Sequence, residues 1–293
     1  MRPPGPPASG ALDLLLAEGV TWGDALEWLP ALPPESVDLF FTSPPYANMR
    51  DYARIEPDRY VEWFLPFARA MLAAARPTGS FVLNIKDRVV DGERHPYVYE
   101  LVLALRGLGW RWIETYVWVK PNAIPGRFGP RSKDAFEYVY WFARGRPHFD
   151  LDAVRVPYRT DAREIERRAL DPSPRRTTPA GHGRTRSRTY GRGGADPGNV
   201  IEAPLRYNQH RGVAHTAPMP EALAEYVIRA GARPGAIVLD PFAGSGTTCA
   251  VAARLGRRPA GLEVHRPFVA EARERLRAAL DPAEAAAGEA GAS

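Results

Sequence analysis

Apolar positions along the chain alternate between short continuous runs and helical faces. Val37–Phe41 is an apolar run that stops at Thr42-Ser43-Pro44-Pro45-Tyr46, where two prolines, each without an N–H, end any regular element. The polar stretch Ala47–Arg59 reads as a mobile loop. Tyr60, Trp63, Phe64, Phe67, Ala70, Met71 and Ala74 then share one helical face. Pro77-Thr78-Gly79 predicts a turn into a strand over Ser80–Ile85. Val98, Leu101, Val102, Leu105 and Leu108 mark a second helix, closed by Gly109. Trp110–Val119 and Phe136–Phe142 are β-branched and aromatic runs of strand length. After Pro220 a helix through Leu223, Val227 and Ile228 ends at Gly231. A strand Ala236–Asp240, a Gly-rich turn Pro241–Gly246 and a helix Thr247–Leu255 follow. The strand Pro259–Glu263 and the helix Arg266–Leu280 complete the series. The tail from Asp281 reads as disordered, and the chain has no internal repeat. Strands and helices alternating at these lengths predict a mostly parallel sheet covered by helices on both faces.

Composition narrows the setting. Of the 293 residues, 45% are hydrophobic and 25% charged, as in an ordinary globular protein. No apolar run approaches the roughly 18 to 20 residues of a membrane span. The first ten residues lack a basic-then-apolar signal pattern, so a cytoplasmic protein is expected. Cys249 is the only cysteine, which excludes an intramolecular disulfide and a cysteine-built metal site. The six histidines show no ligand-like spacing, and no metal is expected. The net charge of +5 is unevenly spread: from Arg144 to Ala214 there are 15 Arg against 8 acids, so the remainder is slightly acidic. Between Pro172 and Asn199 lie six arginines (Arg175, Arg176, Arg184, Arg186, Arg188 and Arg192), one acid and almost no large apolar residue. Such a stretch cannot build a core, and clustered guanidinium groups suit phosphates.

Two motifs carry candidate chemistry. In Asp240-Pro241-Phe242-Ala243-Gly244-Ser245-Gly246-Thr247-Thr248 a buried strand ends in an acid, a glycine turn follows and a helix begins. Glycines allow close backbone approach, and a helix N-terminus offers unpaired N–H groups. A phosphate-binding loop would need Lys where Thr247 stands, and a dinucleotide fingerprint would need Gly where Cys249 stands. What remains is an acid suited to a cofactor with a cationic amino-acid end. Glu263, closing the next strand, suits ribose hydroxyls. The second motif, Ser43-Pro44-Pro45-Tyr46, presents a hydroxyl and carbonyl oxygens, acceptors for a substrate –NH2 group, beside an aromatic face on which a base can stack.

Together the motifs resemble the amino-methyltransferases of DNA, specifically their circularly permuted beta class, over about Gly23 to Leu280. Ser43–Tyr46 comes first, the basic segment occupies the target-recognition position, and the cofactor motif comes last, as in that class. The resemblance implies a permuted Rossmann-like methyltransferase fold, mostly parallel with helices on both faces and an irregular insertion. It implies S-adenosylmethionine as cofactor, double-stranded DNA as partner, and Ser43, Pro44, Pro45 and Tyr46 as the catalytic set. The cofactor would be held by Asp24 near the adenine, Glu263 on the ribose, and Asp240 and His215 toward the methionine end. Thr42, Phe242, Gly244, Ser245, Gly246 and Thr247 would line the same pocket. The implied organisation is an extension over 1–20, a catalytic half over 21–143, a partly disordered recognition segment over 144–214, a cofactor half over 215–280, and a tail over 281–293.

Ser at position 43 favours cytosine N4 over adenine N6, because family members with Ser there are mostly N4 enzymes. Methylation at cytosine C5 would need a cysteine nucleophile, and Cys249 falls in the predicted cofactor helix. Two other classes stay open. Against a DNA-binding module without activity stand the two intact motifs. Against a methyltransferase of RNA or a small molecule stand the motif order and the arginine segment. A cognate restriction endonuclease and a homodimer are also left open. If the clustered arginines neutralise phosphates, log affinity for DNA falls with log salt at about −0.9 per contact. Replacing Arg184, Arg186 and Arg188 with Ala is then expected to flatten that slope by up to about 3, read by titration at several salt concentrations. An unchanged slope would remove these residues from the interface.

Overall fold

The computed structural model of the chain describes residues 2–47, 54–123, 129–158, 193–205 and 219–281. Seven helices are described: α1 (Ala11–Glu18), α2 (Ala25–Trp28), α3 (Tyr60–Ala74), α4 (Tyr97–Leu108), α5 (Glu221–Gly231), α6 (Thr247–Arg254) and α7 (Arg266–Leu280). The strands are β1 (Val20–Trp22), β2 (Val37–Thr42), β3 (Ala75–Ile85), β4 (Arg88–Val90), β5 (Glu93–His95), β6 (Arg111–Val119), β7 (Phe136–Ala143), β8 (Val200–Glu202), β9 (Ile237–Asp240) and β10 (Arg258–Glu263). Eight of them form one sheet in the order β1-β10-β9-β2-β3-β7-β6-β8, and β4 and β5 pair separately. All neighbours from β1 to β3 run parallel, β7 is antiparallel to both β3 and β6, and β8 is parallel to β6. The mostly parallel architecture expected from the alternating pattern is therefore present.

Burial on both faces explains the apolar runs. In β2, Val37, Leu39, Phe40 and Phe41 are all fully buried, as a strand sandwiched between two helical layers requires. Helices α1 to α4 cover one face, where Leu15, Trp28, Phe64, Phe81, Leu101 and Phe142 belong to one core cluster. Next to Phe142, Trp141 faces the opposite way, and a Cβ on Gly231 of α5 would lie 2.9 Å from its ring. Helices α6 and α7 lie on that second face, where Cys249, Val269 and Ala272 pack with Val20. Gly109 ends α4 at φ 117°, a left-handed conformation that glycine adopts without steric cost.

Two local features differ from the sequence expectation. Pro77-Thr78-Gly79 is not a turn before a strand; β3 runs unbroken from Ala75, and the register jumps, with Val37 opposite Ala75 but Leu39 opposite Ser80. The extra residues form a bulge, which accommodates a proline that cannot donate to a ladder. Gly79 is required there, since a Cβ would come within 2.9 Å of the Arg76 backbone. The other is the N-terminal stretch, which carries α1, β1 and α2; Leu15 is fully buried, and the Trp28 indole donates to the Pro4 carbonyl at 3.0 Å.

The chain divides into two compact units, Met1–Phe149 with Asn199–Ser293, and Asp150–Gly198. Within the second, Val156 and Ala195 form an antiparallel bridge and Arg155 donates to the Gly194 carbonyl. No helix among the described residues is long and apolar enough to cross a membrane. Phe81 packs on Phe64, Trp110 and Phe142. Phe81→Ala is expected to cost about 3 to 5 kcal/mol through the cavity it leaves. Urea unfolding measures this, and a loss under about 1 kcal/mol would contradict this account of the core.

Candidate active site

Strands β2 and β9 are parallel neighbours, so their C-terminal ends emerge side by side, where ligands bind in open α/β sheets. The Thr42 hydroxyl donates to Asp240 Oδ1 at 2.6 Å, a buried bond across 198 residues of sequence. The same oxygen accepts from the Phe242 N–H at 3.0 Å. Burial raises the Asp240 carboxyl to about 6, against the pull of those two hydrogen bonds, which favour its ionised form. The acid and Ser43, the residue after Thr42, thus lie at one end of adjacent strands.

The glycine turn is tightly built. Gly246 caps α6 at φ 78°, and a Cβ there would lie 2.8 Å from Ala272 of α7. Glu263, at the tip of β10, accepts from the Gly244 N–H at 2.9 Å and the His265 N–H at 2.7 Å. Burial pushes its carboxyl upward, and these donors partly offset the shift. Trp22 of β1 pairs with Glu263, and the Gly23 N–H donates to the Glu263 carbonyl, which brings Asp24 beside the same strand tip. Asp24 also caps α2, accepting from the Leu26 N–H at 2.9 Å. Thr247 Oγ1 accepts from Arg275 of α7 at 2.8 Å, and Ser245 Oγ lies 3.5 Å from the same guanidinium. Those two hydroxyls are turned toward α7. The Phe242 ring packs on Trp63, Phe64 and Phe67 of α3. Cys249 is fully buried in α6, and burial lifts its thiol well above the usual range, so it offers no thiolate nucleophile.

On the other side of the Thr42–Asp240 bond lies Ser43-Pro44-Pro45-Tyr46. The Pro45 carbonyl accepts from the Tyr60 hydroxyl at 2.9 Å, which ties the turn to α3. Ser43 Oγ is 3.0 Å from Tyr46 Oη. The Tyr46 hydroxyl in turn reaches Glu137 Oε2 at 2.7 Å and Asn84 Oδ1 at 3.3 Å. Asn84 donates to the same Glu137 oxygen and to the Tyr138 carbonyl, both at 3.1 Å, and Glu137 forms a buried ion pair with Lys120. Burial, and then the Glu137 charge, push the Tyr46 phenol well above its usual range, so it stays protonated. Asn84, Lys120 and Glu137 were not singled out by the sequence reading. The available signal was one acid, Glu137, inside the apolar run Phe136–Phe142.

The geometry thus brings together Asp24, Thr42, Ser43, Pro44, Pro45, Tyr46, Asp240, Phe242, Gly244, Ser245, Gly246, Thr247 and Glu263 at one end of the sheet. His215 and the arginines at 175, 176, 184, 186, 188 and 192 lie outside the described residues. Two lifted carboxylates beside a glycine turn suit a ligand with a cationic end and hydroxyl groups. The neighbouring hydroxyl and carbonyls suit a second molecule bearing an amino group.

Comparison with known proteins shows what the whole chain is similar to. A sequence model of the DNA methylase family matches residues 37–274. The Type II methyltransferase M.PvuII of Proteus hauseri is 31% identical over 272 residues, covering 85% of this chain and 80% of that protein. M.SmaI of Serratia marcescens, another Type II methyltransferase, is 27% identical over 291 residues, covering 87% and 89%. Among solved structures, the cytosine-N4-specific PvuII DNA methyltransferase superposes with a TM-score of 0.66 at 26% identity, covering 88% of this chain and 85% of that one. The Thermus thermophilus protein TTHA0409, complexed with S-adenosyl-L-methionine, gives 0.59 at 25% identity, covering 90% and 94%.

Thr42→Val keeps the shape of the side chain and removes the donor to Asp240. The Asp240 carboxyl is then expected to titrate above its present value of about 6. The lost bond to a charged group is worth about 1.5 to 3 kcal/mol, felt most at pH values where Asp240 is ionised. Carboxyl titration followed by NMR, with melting at pH 5 and 8, checks both. An Asp240 titration that does not move would contradict the role given to Thr42.

Proposed function

The chain belongs to the DNA methylase family, and from that membership we propose that it methylates the N4 amino group of cytosine in duplex DNA. Its activity is that of an S-adenosylmethionine-dependent DNA amino-methyltransferase acting on a base flipped out of the helix. The choice of cytosine N4 is supported by Ser43 and by the cytosine-N4-specific PvuII enzyme among its relatives. The Type II relatives also support a cognate restriction endonuclease as functional partner. The observation that carries the reading of the site is the buried Thr42–Asp240 bond, which sets a cofactor-type turn against an amino-group-type turn.

The donor set fits S-adenosylmethionine. Asp240 suits its cationic methionine end, Glu263 its ribose and Asp24 the region of its adenine. The cofactor supplies an electrophilic methyl group on a sulfonium. The chain supplies orientation: an exocyclic amino nitrogen is a poor nucleophile because its lone pair is delocalised into the ring. Hydrogen bonds from –NH2 to Ser43 Oγ and the Pro44 carbonyl favour a more pyramidal nitrogen and aim it for in-line transfer. The Tyr46 ring provides a face for the extruded base.

Duplex DNA incubated with the protein and methyl-labelled cofactor, then digested to nucleosides, is expected to yield labelled N4-methylcytosine by mass spectrometry. Labelled N6-methyladenine would overturn the base assignment. Ser43→Ala is expected to slow transfer roughly ten- to hundredfold, as for a lost hydrogen bond to a group gaining charge, with cofactor affinity unchanged; equal losses in both would make Ser43 structural. The lifted Asp240 carboxyl sets a pH signature. Below about 6 it is protonated and offers a cationic ligand no counter-charge, so affinity should rise as pH increases through that value. Calorimetry at pH 6 in buffers of different ionisation enthalpy is expected to show proton release on binding. Affinity flat from pH 5 to 8 would remove Asp240 from the cationic end.

A further inference from the structure

The buried groups behind Tyr46 fix the direction of every proton in the hydroxyl pair at the site. A carboxylate oxygen and an amide oxygen can only accept. Asn84 spends both amide hydrogens on Glu137 Oε2 and the Tyr138 carbonyl, which settles the orientation of its side chain and turns Oδ1 toward Tyr46. Tyr46 Oη therefore faces two acceptors, Glu137 Oε2 at 2.7 Å and Asn84 Oδ1 at 3.3 Å, and its single hydrogen points at them. The 3.0 Å contact between Ser43 and Tyr46 must then be donated by Ser43. With its only hydrogen directed inward, Ser43 turns lone pairs outward.

We propose that Glu137 is a positioning residue for methyl transfer: through Tyr46 it holds Ser43 as a hydrogen-bond acceptor toward the substrate amino group, and it takes up the proton that group releases. The proposal rests on the reading of Ser43 as the acceptor for –NH2 given above. The step balances. As the amino nitrogen bonds to the methyl carbon, the electron pair of the broken carbon–sulfur bond stays on sulfur, and the nitrogen sheds one proton. That proton passes to Ser43 Oγ, the Ser43 proton to Tyr46 Oη, and the Tyr46 proton to Glu137 Oε2. The products are a neutral methylamino base, a neutral thioether and a carboxylic acid. Lys120 makes the arrangement tenable, because a buried carboxylate needs a counter-charge, and its ammonium also lies 4.8 Å from the centre of the Trp118 ring. An acid otherwise out of place in an apolar strand thereby acquires a role.

Tyr46→Phe tests this most cleanly, because it keeps the stacking ring and the Lys120–Glu137 pair and removes only the relaying hydroxyl. Single-turnover methyl transfer is expected to fall roughly a hundredfold or more, the scale of general acid–base contributions, with cofactor and DNA affinities unchanged. Glu137→Gln is expected to fall equally, again with cofactor and DNA affinities unchanged. The double variant should be no slower than the slower single one, since both break one chain. If Glu137→Gln fails to fold because Lys120 is left unpaired, Tyr46→Phe alone decides. A Tyr46→Phe rate equal to wild type, while Ser43→Ala is slow, overturns the inference and leaves the function standing. A wild-type rate in Ser43→Ala overturns the inference together with the reading of Ser43 as the acceptor.

Discussion

Everything at the site depends on two parallel strands that are far apart in the chain and adjacent in the sheet. β2 and β9 pair with Leu39 opposite Val238 and Phe40 opposite Leu239, and the Thr42–Asp240 hydrogen bond closes their tips. Because both strands point the same way, the order in which the chain supplies them is immaterial to the geometry. What matters is that each ends in a turn whose chemistry suits a different ligand. Fixing a carboxylate in a buried place is costly unless donors are supplied. Here Thr42 comes from the other half of the site, so the two halves are coupled in stability as well as in position.

The aromatic layer around α3 extends that constraint outward. Tyr60 at the start of the helix holds the Pro45 carbonyl, and Trp63, Phe64 and Phe67 pack on Phe242 from the opposite turn. One helix therefore braces both turns against the same face of the sheet. Close-packed aromatic contacts resist the small displacements that would spoil an in-line transfer. On the far face, α7 does similar work through Arg275 and Ala272, which hold the glycine turn from outside.

Much of this was legible in the sequence, for physical reasons. Strands covered on both faces must be apolar on both sides, so β2, β7 and β9 announce themselves as continuous runs. Amphipathic helices such as α3 and α4 show their period, and the helix expected over Arg266–Leu280 is present with those bounds. The two motifs were readable because glycine and proline impose backbone geometry in any context. The bulge at Pro77–Gly79 was not, since it depends on how far β3 must run to meet β2. The N-terminal α1, β1 and α2 are too short to show a period. Glu137 and Asn84 were passed over because a strand residue's partner is set by cross-strand register, here Asn84 opposite Val139 on β7, which no local pattern reveals.

A crystal structure with S-adenosylhomocysteine and a cytosine-containing duplex tests the central claim most directly. The account predicts the homocysteine end at Asp240, the ribose at Glu263, the sulfur between the tips of β2 and β9, and an extruded cytosine whose N4 lies against Ser43 and Pro44. A cofactor bound away from the Asp240 turn, or an extruded base facing away from Ser43, would contradict it.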